Sequence, residues 1–209
     1  AAIEELGRIV GDSARRRAWH TCFAGQLTVL TAPEALQATA ERVGAAARDL
    51  AALGDAAGEA KAHSVHAQAL ARLGKVGACE AALDLALAAA RRAGDRRRAN
   101  AVLAGAPLAA LWGPSPVTRA SGRCLDVVRV LRITQGAPAV EAVALSCQGV
   151  LEALRGRTDA ARRMIGSART MVEELGIAHR LFEADAFAGR IDLLEGDAVA
   201  AERSLRGAY

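Results

Sequence analysis

The stretch ALARLGKVGACEAALDLALAAARRAGDRRR (residues 69–98) shows the pattern that decides the fold. Gly74 and Gly94 stand 20 residues apart in it. Apolar residues recur between them at steps of three and four, which is typical of one helix face: Cys79, Ala82, Leu83, Ala86, Leu87 and Ala90. A glycine just past a helix end closes the last turn in the left-handed conformation, and an aspartate after it can cap the next helix. The stretch therefore predicts a helix bounded by two tight turns.

Glycines repeat this signal along the chain in two interleaved series, each with a step of about forty residues. One series is Gly11, Gly54, Gly94, Gly136 and Gly176, and the other is Gly74, Gly113, Gly156 and Gly196. Gly-Asp pairs stand at Gly11-Asp12, Gly54-Asp55, Gly94-Asp95 and Gly196-Asp197. Self-similarity at a period of about 20–50 residues is typical of repeat proteins. We interpret the first series as the ends of helix pairs and the second as the turn within each pair.

These turns predict five antiparallel helix pairs in a single helical-repeat domain over residues 1–209. The pairs are expected at 13–53, 56–93, 96–134, 138–175 and 178–209. Their helices are expected at 13–30 and 33–53, 56–73 and 76–93, 96–112 and 116–134, 138–155 and 158–175, and 178–195 and 198–209. Both ends read as cut from a longer array, and the residues before Gly11 are expected to end an earlier helix. Pro107 lies inside a predicted helix, which it should kink or shorten.

Small residues keep a fixed register to the second glycine series. Ala67, Ala106, Gly149 and Gly189 lie seven positions before these glycines, and Cys79, Ala161 and Ala201 lie five positions after three of them. Larger Leu83, Ile165 and Leu205 lie nine positions after the same three glycines. The register is similar to the tetratricopeptide pattern, in which small residues let the helices of a pair touch. The predicted fold is all-α, a right-handed superhelix of divergent tetratricopeptide-like pairs, and armadillo- or HEAT-type stacking is the alternative.

Composition narrows the class of protein. Hydrophobic residues make up 52% of the chain and aromatic residues 3%, so alanine and leucine build the core. The sequence has no apolar run long enough for a membrane span and no basic start typical of a signal peptide, so we expect a cytoplasmic location. The four cysteines stand 57, 45 and 23 residues apart, which fits neither a zinc site nor a disulfide framework. Reduced, buried thiols are expected.

Motifs for catalysis or cofactor binding are missing from the sequence. It contains no phosphate-binding loop, nucleophile elbow, dinucleotide fingerprint or H-E-x-x-H pair. His63 and His66 stand three residues apart but lack a third ligand at helical spacing. The arginines of RRAGDRRR (91–98) could bind phosphates, but they close one helix and open the next, and stacking aromatic residues are scarce. We therefore expect no enzyme activity, metal, cofactor or nucleic acid.

The remaining hypotheses concern binding. If the first helix of each pair lines the concave side, the polar residues that face inward are Lys61, Ser64, Gln68, Arg72, Asn100, Ser146, Glu183 and Arg190. They would form a groove for a peptide or a domain, or else an ordinary solvated helix face. A second hypothesis places a small-molecule effector pocket inside the superhelix near Pro107 and Trp112, beside the loop LWGPSPV (111–117). An open polar groove would favour the first hypothesis, and a closed apolar pocket near Trp112 would favour the second.

Several segments resemble one group of bacterial proteins. They are residues 69–98, LAALWGPSPV (108–117), LEALRGRTDAARRMIGSARTMVEELGI (151–177) and the ending EGDAVAAERSLRGAY (195–209). They are similar to the C-terminal helical repeats of large, often actinobacterial, signalling proteins in which a cyclase domain and an ATPase domain precede a tetratricopeptide region. Related repeats occur in ATPase-linked LuxR-type regulators. The resemblance implies a regulatory arm that binds a protein, a peptide, an effector or another domain of its own chain.

Overall fold

All of the regular secondary structure in the described residues is α-helical, except for one short 3₁₀ turn. The structure is a computed structural model, and it describes Glu5, Gly11, residues 13–134 and residues 136–208, with the backbone alone at 178–180. Ten α-helices run through residues 13–134 and 136–208: α1 (Ala14–Thr31), α2 (Leu36–Ala52), α3 (Ala56–Arg72), α4 (Val76–Arg92), α5 (Arg96–Trp112), α6 (Val117–Thr134), α7 (Pro138–Ala153), α8 (Thr158–Glu174), α9 (Ala178–Leu194) and α10 (Ala198–Gly207). A 3₁₀ turn, Pro33–Ala35, precedes α2.

These bounds confirm the predicted all-helical fold. Each helix begins and ends within three residues of its predicted bounds, and the largest difference is at Pro33, which begins the 3₁₀ turn instead of α2. Asp12, Tyr209 and most of the segment before Gly11 lie outside the described residues, and so do the predictions made for them. No helix of the described part of the chain is both long and apolar enough to cross a membrane.

The turns between helices follow the expected chemistry. Gly54 has a φ of 67°, and the N–H of the next residue, Asp55, bonds to the Leu50 carbonyl at 2.9 Å. The Asp55 carboxylate then accepts a hydrogen bond from the Gly58 N–H at 2.8 Å and caps α3. Positive φ recurs at Gly11, Gly74, Gly94, Gly156, Gly176 and Gly196, and aspartate caps recur at Asp95 and Asp197. The pairs Gly54-Asp55, Gly94-Asp95 and Gly196-Asp197 confirm that glycine ends one helix where aspartate begins the next.

Gly136 plays a different role from the other glycines of its series. Its φ does not lie in the left-handed region, and its N–H bonds to the Leu131 carbonyl at 2.8 Å. That bond spans five residues, as the bond from Asp55 to Leu50 does. Gly136 therefore donates the bond that Asp55 donates in its own turn.

The predicted small-residue register corresponds to real contacts between paired helices. A β-carbon placed on Gly149 would lie 3.1 Å from the Ala161 carbonyl and 3.2 Å from an Ile165 side-chain carbon. One placed on Gly189 would lie 2.8 Å from Leu205 Cγ and 3.4 Å from the Ala201 carbonyl. In both pairs, the glycine meets the residues five and nine positions after the turn.

Consecutive helices pack within each of two compact units, Ala1–Val102 and Leu103–Tyr209. In the first unit, α1 packs on α2, α2 on α3 and α3 on α4, while α1 also packs on α3. In the second, α6 to α10 pack in the same consecutive way, and α7 also contacts α9. The boundary between the units falls inside α5. The single repeat domain stays a prediction.

The core of each unit is built from small and aliphatic side chains. Cys22, Val43, Leu50 and Val65 are fully buried in the first unit, and Cys124, Cys147 and Leu151 pack together in the second. All four cysteines are buried and unpaired, as expected. Burial raises the pKa of Cys22 to about 11 and that of Cys124 to about 12, so both thiols stay protonated at neutral pH.

Pro107 does not shorten its helix, which keeps the predicted bounds, and the alternative of a kink stays a prediction. Helix α5 continues through Pro107 to Trp112. The proline ring is fully buried, and the Cys124 thiol lies 3.9 Å from the Pro107 carbonyl oxygen. A buried ring keeps its packing contacts, and these offset the one backbone hydrogen bond that proline cannot make.

Candidate functional site

Helix α1 carries a stripe of exposed apolar side chains. Phe23, Leu27 and Leu30 lie at positions i, i+4 and i+7, which places them on one face of the helix. Their exposed fractions are 41%, 49% and 66%. The opposite face of α1 packs into the core with small residues such as Ala18, Cys22 and Gly25. Three of the larger apolar side chains of α1 therefore remain accessible.

Two cationic side chains of α3 reach across to α1 beside this stripe. The Lys61 ammonium donates a hydrogen bond to the Gln26 side-chain oxygen and lies 5.3 Å from the centre of the Phe23 ring. The Arg72 guanidinium donates to the Val29 carbonyl. Within the described part of the chain, neither cation forms an ion pair with a carboxylate. We call Phe23, Leu27, Leu30, Lys61 and Arg72 the α1–α3 face.

The two helices of this face run in the same direction. Trp19 of α1 donates to Asp55 at the start of α3 at 2.9 Å, while Val29 near the end of α1 receives Arg72 from the end of α3. The helices also approach closely, because a β-carbon on Gly25 would lie 3.5 Å from a Val65 methyl group. Lys61 and Arg72 therefore contact α1 at two separate points along the same pair of helices.

The surroundings of Lys61 disfavour its positive charge. Lys61 is half-buried, and its pKa is lowered by burial and, to a smaller extent, by the nearby charge of Arg98. A lowered lysine pKa means that the surroundings make the positive charge less favourable. A carboxylate from a ligand would reverse that effect.

The other predicted residues near this face contribute less. The Ser64 hydroxyl donates to the Ala60 carbonyl of its own helix at 2.7 Å. Gln68 is exposed, and Asn100 is half-buried in the first part of α5. The structure thus groups Lys61 and Arg72 with the apolar stripe, while Ser64 is already bonded within α3.

Ser146 and Glu183 line a gap that is too small for a ligand. Ser146 is buried in α7, and the gap that it shares with Glu183 and Phe187 measures about 10 Å³. A single water molecule needs about that much space. These two residues lie close together but leave no room for a binding groove between them.

A larger cleft lies beside Trp112 in the second unit. It measures about 400 Å³ and is lined by Leu111, Trp112, Val150, Leu154, Arg190, Leu193, Leu194 and Leu205. The Arg190 guanidinium lies 3.9 Å from the centre of the Trp112 ring. Two predicted residues are therefore in contact, whereas Pro107 is buried and is not among the lining residues.

The clustered arginines at 91–98 are partly engaged within the first unit. Arg92 pairs with Glu59 at 2.7 Å. Arg98 pairs with Asp95 at 3.2 Å, donates to the Ala57 carbonyl at 2.9 Å and lies over the Trp19 ring. These contacts tie α3, α4 and α5 together. They agree with a structural role for Arg92 and Arg98.

The second unit also contains a buried polar network that sequence reasoning missed. Gln148 donates to the Ser121 hydroxyl at 2.7 Å and to the Glu152 carboxylate at 2.8 Å. Arg155 and Arg157 also donate to Glu152. Ser121, Gln148 and Glu152 are all at least nine-tenths buried. The sequence signal for this network is the pair Gln148 and Glu152, four positions apart on α7. Because the rest of the helix is mostly apolar, the pair did not mark a polar network.

Metal-ligating side chains do not cluster in the described part of the chain. The described residues contain no group of three His, Cys, Asp or Glu side chains placed to hold a metal ion. His63 lies 4.0 Å from Glu59, and burial lowers its pKa. Comparison with protein-family models and with curated protein sequences finds no match for this chain. Two surfaces of the described residues, one in each unit, are thus the candidates for a functional site.

Proposed function

We propose that this chain is a non-catalytic protein-interaction and regulatory module. Its helix pairs belong to a divergent tetratricopeptide-like array with a period of about forty residues and a right-handed superhelical path. The contacts at Gly149 and Gly189 support this class, because they repeat the small-residue register of that motif. The first helix of one pair also packs on the first helix of the next, as α1 does on α3 and α7 does on α9. This packing supports the same class.

The proposed binding surface is the α1–α3 face, and the proposed partner is an acidic amphipathic helix. One observation carries this proposal: Lys61 and Arg72, which lack carboxylate partners in the described residues, lie beside the exposed stripe Phe23, Leu27 and Leu30. An amphipathic helix presents apolar side chains at i, i+3, i+4 and i+7 to such a surface. Flanking carboxylates would meet the two cations.

Binding would replace weaker contacts with stronger ones. Lys61 would exchange the Gln26 amide oxygen, and Arg72 the Val29 carbonyl, for carboxylates. Charge-assisted hydrogen bonds are roughly twice as strong as neutral ones. Burial of the three apolar side chains would add roughly 25 cal/mol for each Å² of apolar area that leaves water. The charges would mainly set specificity and the association rate.

By resemblance, the module would belong to a larger bacterial signalling or transcription-regulatory protein in the cytoplasm. The partner helix would come from another protein or from another domain of the same chain. A partner that binds one arrangement of the parent protein better than another would shift the balance between them. That shift is the proposed regulatory effect.

The test is a titration with two labelled probe peptides. Both peptides carry leucines at i, i+4 and i+7, and one carries glutamates on its flanks where the other carries lysines. We expect the acidic peptide to bind more tightly, with an affinity that falls as salt is added, because the attraction is between exposed charges. Fluorescence anisotropy measures both affinities.

Two double variants test whether the acidic peptide binds at the α1–α3 face. K61Q/R72Q should weaken the acidic peptide by about tenfold, since loss of two ion pairs at about 0.7 kcal/mol each gives that factor. The control R91Q/R97Q removes the same net charge from exposed positions outside the face and should leave the affinity nearly unchanged. Equal binding of the two peptides, or equal losses in the two double variants, would contradict the proposal.

A further inference from the structure

The cleft beside Trp112 lies where the ends of three helices meet α10. Trp112 ends α5, Leu154 follows α7, and Leu193 and Leu194 end α9. Six of its eight described lining residues are aliphatic. The volume of about 400 Å³ falls within the range of small-molecule pockets. The cleft lies wholly within the unit Leu103–Tyr209 and shares no residue with the α1–α3 face.

Among the described residues that line this cleft, Arg190 is the only charged one. Its guanidinium lies over the Trp112 ring at a distance of 3.9 Å, well within the range of a cation–π contact. In the described part of the chain, Arg190 makes no hydrogen bond or ion pair. A guanidinium has five N–H donors and no acceptor. The cleft thus combines an apolar wall with one cation whose donors have no protein partner among the described residues.

We infer that this cleft binds a small amphiphilic carboxylate, meaning a molecule with one ionised carboxylate and an apolar body. The carboxylate would accept two hydrogen bonds from Arg190, a geometry that a guanidinium favours. The apolar body would pack against Leu154, Leu193, Leu194 and Leu205, and Trp112 would form one wall. A cationic ligand would be repelled by Arg190, and a neutral one would lack the charge-assisted contact to it.

Decanoate is the probe for this site, with decanol and decyltrimethylammonium as matched ligands. The chain has two tryptophans, Trp19 and Trp112, so the variant W19F makes Trp112 the only tryptophan. We expect decanoate to change Trp112 fluorescence saturably, with one site per chain by calorimetry. Decanol should bind about tenfold more weakly, because it lacks the charge-assisted contact to Arg190. The ammonium compound should not bind at the site.

The variant R190Q tests the proposed contact between Arg190 and the ligand carboxylate. It should weaken decanoate binding by about tenfold while leaving decanol binding nearly unchanged. R163Q is the control, because Arg163 is exposed on α8 and lies outside the cleft lining. Circular dichroism of R190Q checks that the variant folds, and R190K should recover part of the affinity.

Three results would overturn the inference: decanoate binding that does not saturate, decanol binding as tight as decanoate binding, or an R190Q variant with unchanged affinity. The outcome is separate from that for the α1–α3 face. R190Q should bind the acidic peptide like the parent chain, and K61Q/R72Q should bind decanoate like the parent chain. Each site can therefore fail without the other.

Discussion

Glycines at single positions determine how closely paired helices approach. A β-carbon at Gly189 would lie 2.8 Å from Leu205 Cγ, which is closer than real side chains allow. At Gly166 on the outer face of α8, a β-carbon would meet nothing within 4 Å. The first glycine permits a helix contact, while the second only reduces the stability of its helix. The same residue type therefore has opposite effects at the two positions.

The first prediction compares two glycine-to-alanine variants. G189A should lower the free energy of unfolding by about 1–3 kcal/mol, because the added methyl group overpacks the contact with Leu205. G166A should raise the free energy of unfolding by about 0.5–1 kcal/mol, because alanine favours the helix and has room there. Urea unfolding followed by circular dichroism measures both. A G189A variant as stable as the parent chain would show that the contact can relax freely.

The Glu152 side chain is the most heavily bonded acid in the second unit. The hydrogen bond from Arg157 is the main cause that lowers the pKa of Glu152, and Arg155 adds to it against the opposing effect of burial. The ordinary value is 4.5, so the folded chain holds this carboxylate ionised at a pH where the unfolded chain binds a proton. Its contribution to stability is fully present above that value and is lost as pH falls through the lower, folded pKa.

E152Q tests this contribution. At neutral pH, the variant should lose roughly 1–3 kcal/mol of unfolding free energy, because hydrogen bonds to a charged acceptor are replaced by weaker ones. Below pH 4 the difference should shrink, since the parent carboxylate then takes up a proton. Urea unfolding at a series of pH values measures the difference. Parallel stability curves for the variant and the parent chain would contradict the assignment.

At the scale of helices, the same aspartate cap recurs at the start of three helices, and one of these aspartates makes further contacts. Asp55, Asp95 and Asp197 each accept a hydrogen bond from the backbone N–H three residues later. Asp55 also accepts from the Trp19 indole at 2.9 Å and pairs with Arg15 at 3.4 Å. The cap of α3 therefore also fastens α1 to it. Within the described residues, Asp197 caps α10 without such a link.

Alanine variants separate the two contributions. D197A should cost about 1 kcal/mol, the usual effect of losing a helix cap. D55A should cost about 1 kcal/mol more, because it also leaves the part-buried Trp19 N–H without its acceptor. Chemical denaturation measures both, and the Trp19 fluorescence of D55A should shift. Equal costs for the two variants would mean that the link between α1 and α3 adds nothing.

The helices were predictable because the signals that bound them are local. Gly54 and Asp55 stand side by side in the sequence and act on their own turn. The face of α1 was harder to predict. Its buried side carries small residues and its exposed side carries large apolar ones, so the hydrophobic pattern does not show that Phe23 is exposed. The contact between Trp112 and Arg190 joins residues 78 positions apart, so no local pattern reports it. Both residues were predicted for separate reasons, and the structure brings them together.

At the scale of the whole molecule, each compact unit has its own candidate surface. The unit Ala1–Val102 carries the α1–α3 face, and the unit Leu103–Tyr209 carries the cleft beside Trp112. The net charge of +4 favours anionic partners at both surfaces. A partner helix and a small carboxylate could therefore bind to one chain without competing for the same residues. Such a chain could bring a protein signal and a chemical signal together.

Hydroxyl-radical footprinting with and without the acidic probe peptide tests whether the α1–α3 face is the binding surface. Phe23, Leu27 and Leu30 should lose reactivity as the peptide saturates the chain, because they become buried. Leu85 and Ile133 are exposed side chains outside the face and should react as before. Protection confined to Phe23, Leu27 and Leu30 is the predicted result. Unchanged reactivity of these three side chains at saturation would contradict it.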